Sequence, residues 1–249
     1  MKKSTKEKLP YPYIGIWAAI TAVAFLMPSI PIAFSPFTFS VSHFFMHAAA
    51  VLFGPIAGAI AVAIGYIIGQ FIAPYTAIFG PITFVPATAS VFIAGLMMVR
   101  KSYYAVILSA ANFAMFIVAG LWMGGDMTWI WVYGITLSLP AVIVAFFGNW
   151  ASKMITSFDS KKAFVGSLII VLVAVLNTNT MGNWIYVFMY TLPNDLWGPS
   201  LIPDAVPRIL SIIAEAIVIT PIVMGLYRTK KLNFLFWPKY IEEHMGKGS

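Results

Sequence analysis

The chain has 249 residues, of which 61% are hydrophobic and only 9% carry a charge. Because about 25% of residues are charged in an ordinary soluble domain, this composition excludes a soluble globular protein and predicts a polytopic membrane protein. At roughly 20 apolar residues per crossing, the length allows about six to nine spans and leaves no room for a nucleotide-binding domain. Cysteine is absent, which excludes disulfides, thiol catalysis and thiolate metal sites.

Eight apolar runs follow one another along the chain, separated by polar or Gly/Pro-containing breaks. They cover residues 13–33, 41–53, 55–72, 80–99, 103–124, 128–150, 163–190 and 206–227. The first run follows a basic segment, as the apolar part of a signal peptide would, but it ends in MPSIPIAFSP rather than at a clear small-residue cleavage site. The sequence therefore predicts an all-α bundle of about eight transmembrane helices.

Residues 41–72 form either one long helix or two short ones, and the cations distinguish the two arrangements. If Gly54 and Pro55 form a turn, fourteen of the fifteen Lys and Arg residues fall on one side of the membrane. A single helix would move Arg100 and Lys101 to the side opposite the N-terminal lysines. Because cytoplasmic loops carry an excess of Lys and Arg, the turn is favoured, with both chain termini in the cytoplasm.

The same rule accounts for the formal net charge of +7 without a nucleic-acid partner. It divides the chain into a cytoplasmic basic tail at 1–12, a single transmembrane domain at 13–228 and a cytoplasmic tail at 229–249. On the outer side, the Pro-rich segment 28–40 and the connection 191–205 are expected to cover an outward cavity. Membrane lipid is the expected surrounding partner.

Two sets of small residues predict close helix packing, because lipid-embedded helices associate through small side chains. Ala18 and Ala22 lie four residues apart and so share one face of the first helix. Gly58, Gly65 and Gly69 form a stripe on the third. Either set could pack within the chain, and the alanines could equally face a partner subunit.

Polar residues at membrane depth are costly and indicate function by default. Glu215 is the only acidic residue inside a predicted span, and Arg208 lies on the same helix face. We expect Glu215 to bond an asparagine or to be protonated, either as a clamp between helices or as a ligand contact. The polar and aromatic residues expected near its depth or farther out are Asn112, Asn177, Asn179, Asn183, Trp184, Tyr186 and Tyr190.

His43 and His47 are four residues apart, which puts both imidazoles on one helix face, as metal ligands require. The segment lacks the glutamate of an HExxH motif and any nearby Asp or Cys. Hydrogen bonding to a substrate or within the protein therefore fits better than metal ligation, and no cofactor is expected. Walker, nucleophile-elbow and Asp-rich metal motifs are absent as well.

At LFGPIAGAIAVAIGYIIG (52–69), the chain resembles the substrate-binding S component of an energy-coupling factor (ECF) vitamin transporter. The resemblance extends to APYTAIFGPITF (73–84), Gly95 and PRILSIIAEAIVITPIVMGLYR (207–228). The segment 28–40 resembles the loop that caps the vitamin in that family. Ala18 and Ala22 resemble the element that docks the transmembrane coupling (T) subunit. The family core has six helices, so two of the eight predicted here would be an added hairpin near 103–150.

The resemblance implies a substrate-capture subunit in a prokaryotic plasma membrane, which takes up a vitamin-like heterocycle from outside. A T subunit and two cytoplasmic ATPases would then drive release into the cell. The candidate ligand contacts are His43, His47, Tyr75, Asn179, Asn183, Trp184, Arg208 and Glu215. Two other classes remain open: a secondary transporter, which would work alone on an ion gradient, and a membrane enzyme acting on lipid or prenyl chains through the histidines and Glu215.

Overall fold

The structure is a computed structural model that describes residues 11–27, 30–31, 38–39, 42–122, 127–157, 159–190 and 205–228. The regular elements of these ranges are seven α-helices, two short 3₁₀ turns (Pro74–Thr76 and Gly80–Ile82) and one pair of two-residue strands, β1 with β2 antiparallel. In chain order the α-helices and strands are α1 (Tyr11–Ala24), β1 (Ile30–Pro31), β2 (Thr38–Phe39), α2 (His43–Ile72), α3 (Phe84–Met98), α4 (Ser102–Trp122), α5 (Met127–Ile155), α6 (Ser160–Tyr190) and α7 (Ala205–Arg228).

Helix α2 folds back on itself at Gly54, as the distribution of cations predicts. Gly54 has φ 74° and ψ −167°, a conformation that glycine adopts without the steric penalty of a side chain. The two arms, 43–53 and 55–72, run side by side. Their close approach is shown at Gly58, where an added Cβ atom would lie 2.7 Å from the carbonyl oxygen of Ala49. In an unbroken helix, residues nine positions apart would be separated by about 13 Å.

Helix α1 packs along the second arm of α2 through that arm's glycines. A Cβ atom at Gly65 would lie 2.6 Å from the Thr21 Cβ and 2.8 Å from the Ala18 carbonyl oxygen, and one at Gly69 would overlap the Phe25 ring. Glycine is therefore required where the helices touch. The glycine stripe predicted from the sequence packs within the chain.

Helix α3 packs against the turn of α2. A Cβ atom at Gly95 would lie 2.6 Å from the Gly54 carbonyl carbon and would also overlap Pro55. This contact defines two ends of the bundle: the turn end, at Gly54 and Gly95, and the histidine end, where the arms of α2 open beside His43. The connection from α3 to α4, at 99–101, therefore lies at the turn end.

Helices α4, α5 and α6 form a second group of antiparallel neighbours that joins the first through α3 and α6. Ser102 Oγ at the start of α4 donates to Asn149 Oδ1 near the end of α5 at 2.8 Å. A Cβ atom at Gly166 of α6 would lie 2.6 Å from the Ala151 carbonyl oxygen. These contacts place the start of α4, the end of α5 and the start of α6 together at the turn end.

The predicted helical bundle is confirmed, and most helix bounds differ from the predicted runs by a few residues. Two differ more: α1 ends at Ala24, before Pro28, whereas the prediction extends to 33, and α5 continues to Ile155, beyond the predicted 150. Six helices within the described ranges are long and apolar enough to cross a membrane, and α1 is shorter. The eight crossings and the side on which the termini lie stay predictions. The tails, most of the 28–40 loop and nearly all of the 191–205 loop lie outside the described residues.

Candidate functional site: a buried polar cluster between α2, α3 and α7

A histidine and a glutamate meet in the interior, between the first arm of α2 and α7. His47 Nδ1 and Glu215 Oε2 are 2.7 Å apart, and both side chains are 0% exposed. The other ring nitrogen of His47, Nε2, lies 3.3 Å from Ser90 Oγ on α3. One imidazole thus connects three helices that are distant in sequence. Of the two expectations for Glu215, the bond to an asparagine is wrong, since the partner is His47, and protonation of the carboxyl group stays a prediction.

The neighbouring hydrogen bonds indicate which ring nitrogen of His47 donates and where the remaining proton of the pair lies. Ser90 Oγ donates to the Ala87 carbonyl oxygen at 2.8 Å, so its lone pairs face His47 and Nε2–H is the donor in that contact. The remaining proton lies between Nδ1 and Oε2: an imidazolium donates to a carboxylate, or a carboxylic acid donates to an imidazole. Either way the pair carries no net charge, which is the condition for placing both groups in an apolar interior.

The second carboxyl oxygen, Glu215 Oε1, is buried, and no residue in the described part of the chain bonds to it. An acceptor left in this state costs about 1–3 kcal/mol. Buried polar groups are generally hydrogen-bonded, so an exception in the interior calls for a role beyond stability. The clamp between helices therefore accounts for Oε2 but leaves Oε1 unexplained.

Three further groups lie around this pair. His43, one turn before His47, is half-buried, and its Nδ1 is 3.5 Å from the Tyr66 hydroxyl oxygen. Tyr66, on the second arm, also donates to Met46 Sδ at 3.0 Å. Arg208 is half-buried as well, and its positive charge acts on both histidines. The structure thus brings together four of the eight predicted contacts: His43, His47, Arg208 and Glu215.

Three other predicted contacts lie on α6, and one of them, Trp184, belongs to a separate network between α4 and α6. Trp184 Nε1 donates to Asn112 Oδ1 at 2.9 Å, and Asn112 Nδ2 donates to the Asn177 side-chain oxygen at 3.2 Å. Asn183 Nδ2 donates to Asn179 Oδ1 one turn away at 3.1 Å. Trp184 is therefore engaged in joining two helices. The half-buried Asn179 and Asn183 keep some accessible surface.

Tyr75, the eighth predicted contact, lies apart from both groups. It belongs to the short 3₁₀ turn Pro74–Thr76, and 61% of it is exposed. The same connection is tied to the end of α6, because Tyr190 donates to the Ile78 carbonyl oxygen and Phe79 packs edge-on against Tyr186. Tyr75 thus lies on the surface of the loop that joins α2 to α3.

The two alanines expected to dock a partner are inside the chain. Ala18 is 3% exposed and Ala22 is 4% exposed, because their face of α1 packs on the second arm of α2. The small residues on the exposed face are Gly15 and Ala19. Beside them runs a groove of about 390 Å³, lined by Ile16, Ala19, Ile20, Val23, Ala24, Met27 and Phe45.

Sequence reasoning missed two members of the cluster, Tyr66 and Ser90. Tyr66 directly follows Gly65 of the glycine stripe, a position that already indicated close packing. Ser90 is one of two hydroxyl residues, with Thr88, in the otherwise apolar helix α3, a weak signal. Within the described residues no three His, Asp or Glu side chains converge as a metal would need.

These features define a class of protein: a helical membrane protein with a polar cluster near one end and an apolar groove along its first helix. Residues 9–132, about half of the chain, match the family described as ECF-type riboflavin transporter, S component. Searches of curated proteins and of solved structures return no significant match. The family match confirms the resemblance seen in the sequence, and the chain is an S component of the ECF type.

Proposed function

We propose that this S component captures riboflavin, or a flat heterocycle of similar shape, at the histidine end of the bundle. The family match supports the ligand class, since the matched family is described by riboflavin. The observation that carries the location is the polar cluster, in which Glu215 Oε1 is a buried acceptor that receives no donor from the described residues. A ring N–H of the ligand would satisfy that acceptor and remove its cost.

Access to the cluster is through its half-buried members. His43 and Arg208 retain exposed surface, whereas His47 and Glu215 have none. The ligand would therefore meet His43 and Arg208 first, with the His47–Glu215 pair as the floor beneath them. An arginine offers five N–H donors, which suits the carbonyl oxygens of a flavin-like ring. Asn179, Asn183, Trp184 and Tyr75 remain candidate contacts at the margin.

Transport would need other chains, because the matched family is described as one component, the S component, of an ECF-type transporter. We place the docking surface for a T subunit on the exposed face of α1, at Gly15, Ala19 and the adjoining groove. Small residues would let a partner helix approach closely, and the groove offers apolar surface for it. Two cytoplasmic ATPases bound to the T subunit would supply the energy, and the prokaryotic plasma membrane would be the location.

Reconstitution separates this proposal from its rivals. The purified chain alone should bind riboflavin, followed by quenching of the flavin fluorescence, and should transport none into liposomes under an ion gradient. Liposomes that also contain an ECF T subunit and its ATPases should accumulate riboflavin when ATP is supplied inside. Uptake by the chain alone would contradict the proposal and indicate a secondary transporter. Failure to bind riboflavin or any related heterocycle would contradict the capture role.

A further inference from the structure

The connection between α3 and α4 holds an arginine where a helix end favours glycine. Arg100 has φ 55°, the left-handed conformation, and is the only described non-glycine residue with positive φ. Arg100 N donates to the Met97 carbonyl oxygen at 3.0 Å, and Lys101 N donates to the Leu96 carbonyl oxygen at 2.8 Å. This bond pattern is the Schellman motif, whose left-handed position is usually glycine. Strain of this kind is commonly retained where a side chain has a function.

Other cations converge on this turn. Ser102, directly after Lys101, is bonded to Asn149 of α5, and Lys153 lies one turn beyond Asn149 on the same helix face. Gly166 of α6 packs on the last turns of α5. The start of α6 with its two lysines therefore lies beside the same junction. The basic cluster consists of Arg100, Lys101, Lys153, Lys161 and Lys162.

The cluster has little negative charge to balance it. Asp159 is the one acidic residue in the described parts of these connections, and its Oδ1 accepts the Lys162 backbone N–H at 2.9 Å as the N-cap of α6. Lys101, Lys153, Lys161 and Lys162 are all exposed. Their charges are thus available to an external anion.

Exposed aromatic side chains lie close to the cluster along α4 and α5. Tyr103 is 72% exposed, Tyr104 58% and Trp150 43%, and all three lie within one turn of the cations on α4 and α5. Tyr and Trp are enriched at the membrane–water interface, where one part of the ring is apolar and another polar. The cations therefore lie at the level of the phosphates.

We propose that the basic cluster at the turn end binds the phosphate headgroup of an anionic phospholipid. Arg100 and Lys101 would approach the headgroup from the α3–α4 turn, and Lys153 from the end of α5. A general excess of cations in cytoplasmic loops needs only positive charge and does not require an arginine in a strained position. This lipid site is independent of ligand capture at the histidine end.

The test uses the full chain in detergent, with native mass spectrometry of added phosphatidylglycerol and phosphatidylcholine. Phosphatidylglycerol should remain bound more strongly than phosphatidylcholine. The double variant Lys101→Gln/Lys153→Gln should weaken its retention by about fivefold for each cation removed. The matched control, Lys6→Gln/Lys8→Gln in the basic tail, loses the same charge and should retain the lipid within about twofold of the unmodified chain.

A second variant separates charge from folding. Arg100→Gly removes the cation and relieves the left-handed conformation, so in phosphatidylcholine its Tm should equal or exceed that of the unmodified chain. Its stabilisation by phosphatidylglycerol should be reduced. Equal loss of lipid in both double variants, or an unchanged response of Arg100→Gly, would overturn the proposal. Complete displacement of the lipid by inorganic phosphate would assign the cluster to free anions instead.

Discussion

Breaking the buried His47–Glu215 pair should strongly destabilise the fold, because each polar side chain is the hydrogen-bonding partner of the other in the apolar interior. Replacing either residue alone with leucine leaves its partner buried and unpaired. Removal of one member of a buried pair costs about 3–5 kcal/mol. For a chain of this size, about 2–4 °C per kcal/mol converts that loss into a Tm lowered by about 6–20 °C.

The double variant His47→Leu/Glu215→Leu removes both polar groups and should recover much of this loss. Well-packed hydrophobic replacement of a buried ion pair is often neutral or stabilising. The two single changes should therefore be strongly non-additive, with a coupling energy of at least about 2 kcal/mol. Glu215→Gln keeps a hydrogen-bonding partner for the histidine, because the glutamine amide can donate to Nδ1, and should cost less stability than Glu215→Leu.

The assay is thermal unfolding of the ligand-free chain in one detergent, followed by loss of helical circular dichroism. Ligand is omitted because binding to the folded state would itself raise Tm. Additive effects in the double variant would refute the direct bond between the two side chains. So would a Glu215→Leu variant as stable as the unmodified chain.

Three further predictions test the packing and the docking face. Gly95→Ala would push a methyl group into the backbone of the α2 turn and should lower the free energy of unfolding by about 1–3 kcal/mol. The control Gly225→Ala, which has no atom within 4 Å of the added Cβ, should leave the Tm unchanged or raise it. Asn177→Leu removes the side-chain oxygen that accepts from Asn112 Nδ2 and the amide that donates to Ser109 Oγ, while the Asn112 bond to the Asn177 carbonyl oxygen remains, so it should destabilise the fold by about 0.5–1.5 kcal/mol in chemical unfolding; a loss below measurement would contradict the network. Ala19→Trp should abolish ATP-driven uptake in the reconstituted complex while riboflavin binding is retained, and Ala110→Trp on the exposed face of α4 should spare both; loss of binding in Ala19→Trp would contradict a docking role.

The sequence predicts the bundle well because two strong physical signals act along it. Apolar runs identify the helices, and the cations at 100–101 and 153–162 favour a reversal of the chain at Gly54. The glycines of the second arm identify a packing face, because a side chain at these positions would not fit between the helices.

The contacts across helices are harder to predict, because periodicity within one helix says nothing about which neighbour it meets. Glu215 pairs with His47, which is 168 residues away, rather than with an asparagine. Ala18 and Ala22 share a face as predicted, but the choice between partner and second arm depends on the orientation of α1. Ser90 enters the cluster only because α3 packs on α2 at Gly95.

The central claim is that riboflavin is captured at the histidine end, where Arg208 lies with His43 and the buried pair. The most direct test compares the riboflavin affinities of Arg208→Gln and Arg100→Gln by fluorescence titration of the purified chain. Both variants replace one half-buried arginine, but at opposite ends of the bundle. Loss of a charged hydrogen bond should weaken binding by Arg208→Gln roughly tenfold to a hundredfold, while Arg100→Gln should bind as the unmodified chain does. Unchanged affinity in Arg208→Gln, or equal loss in both, would contradict capture at this cluster.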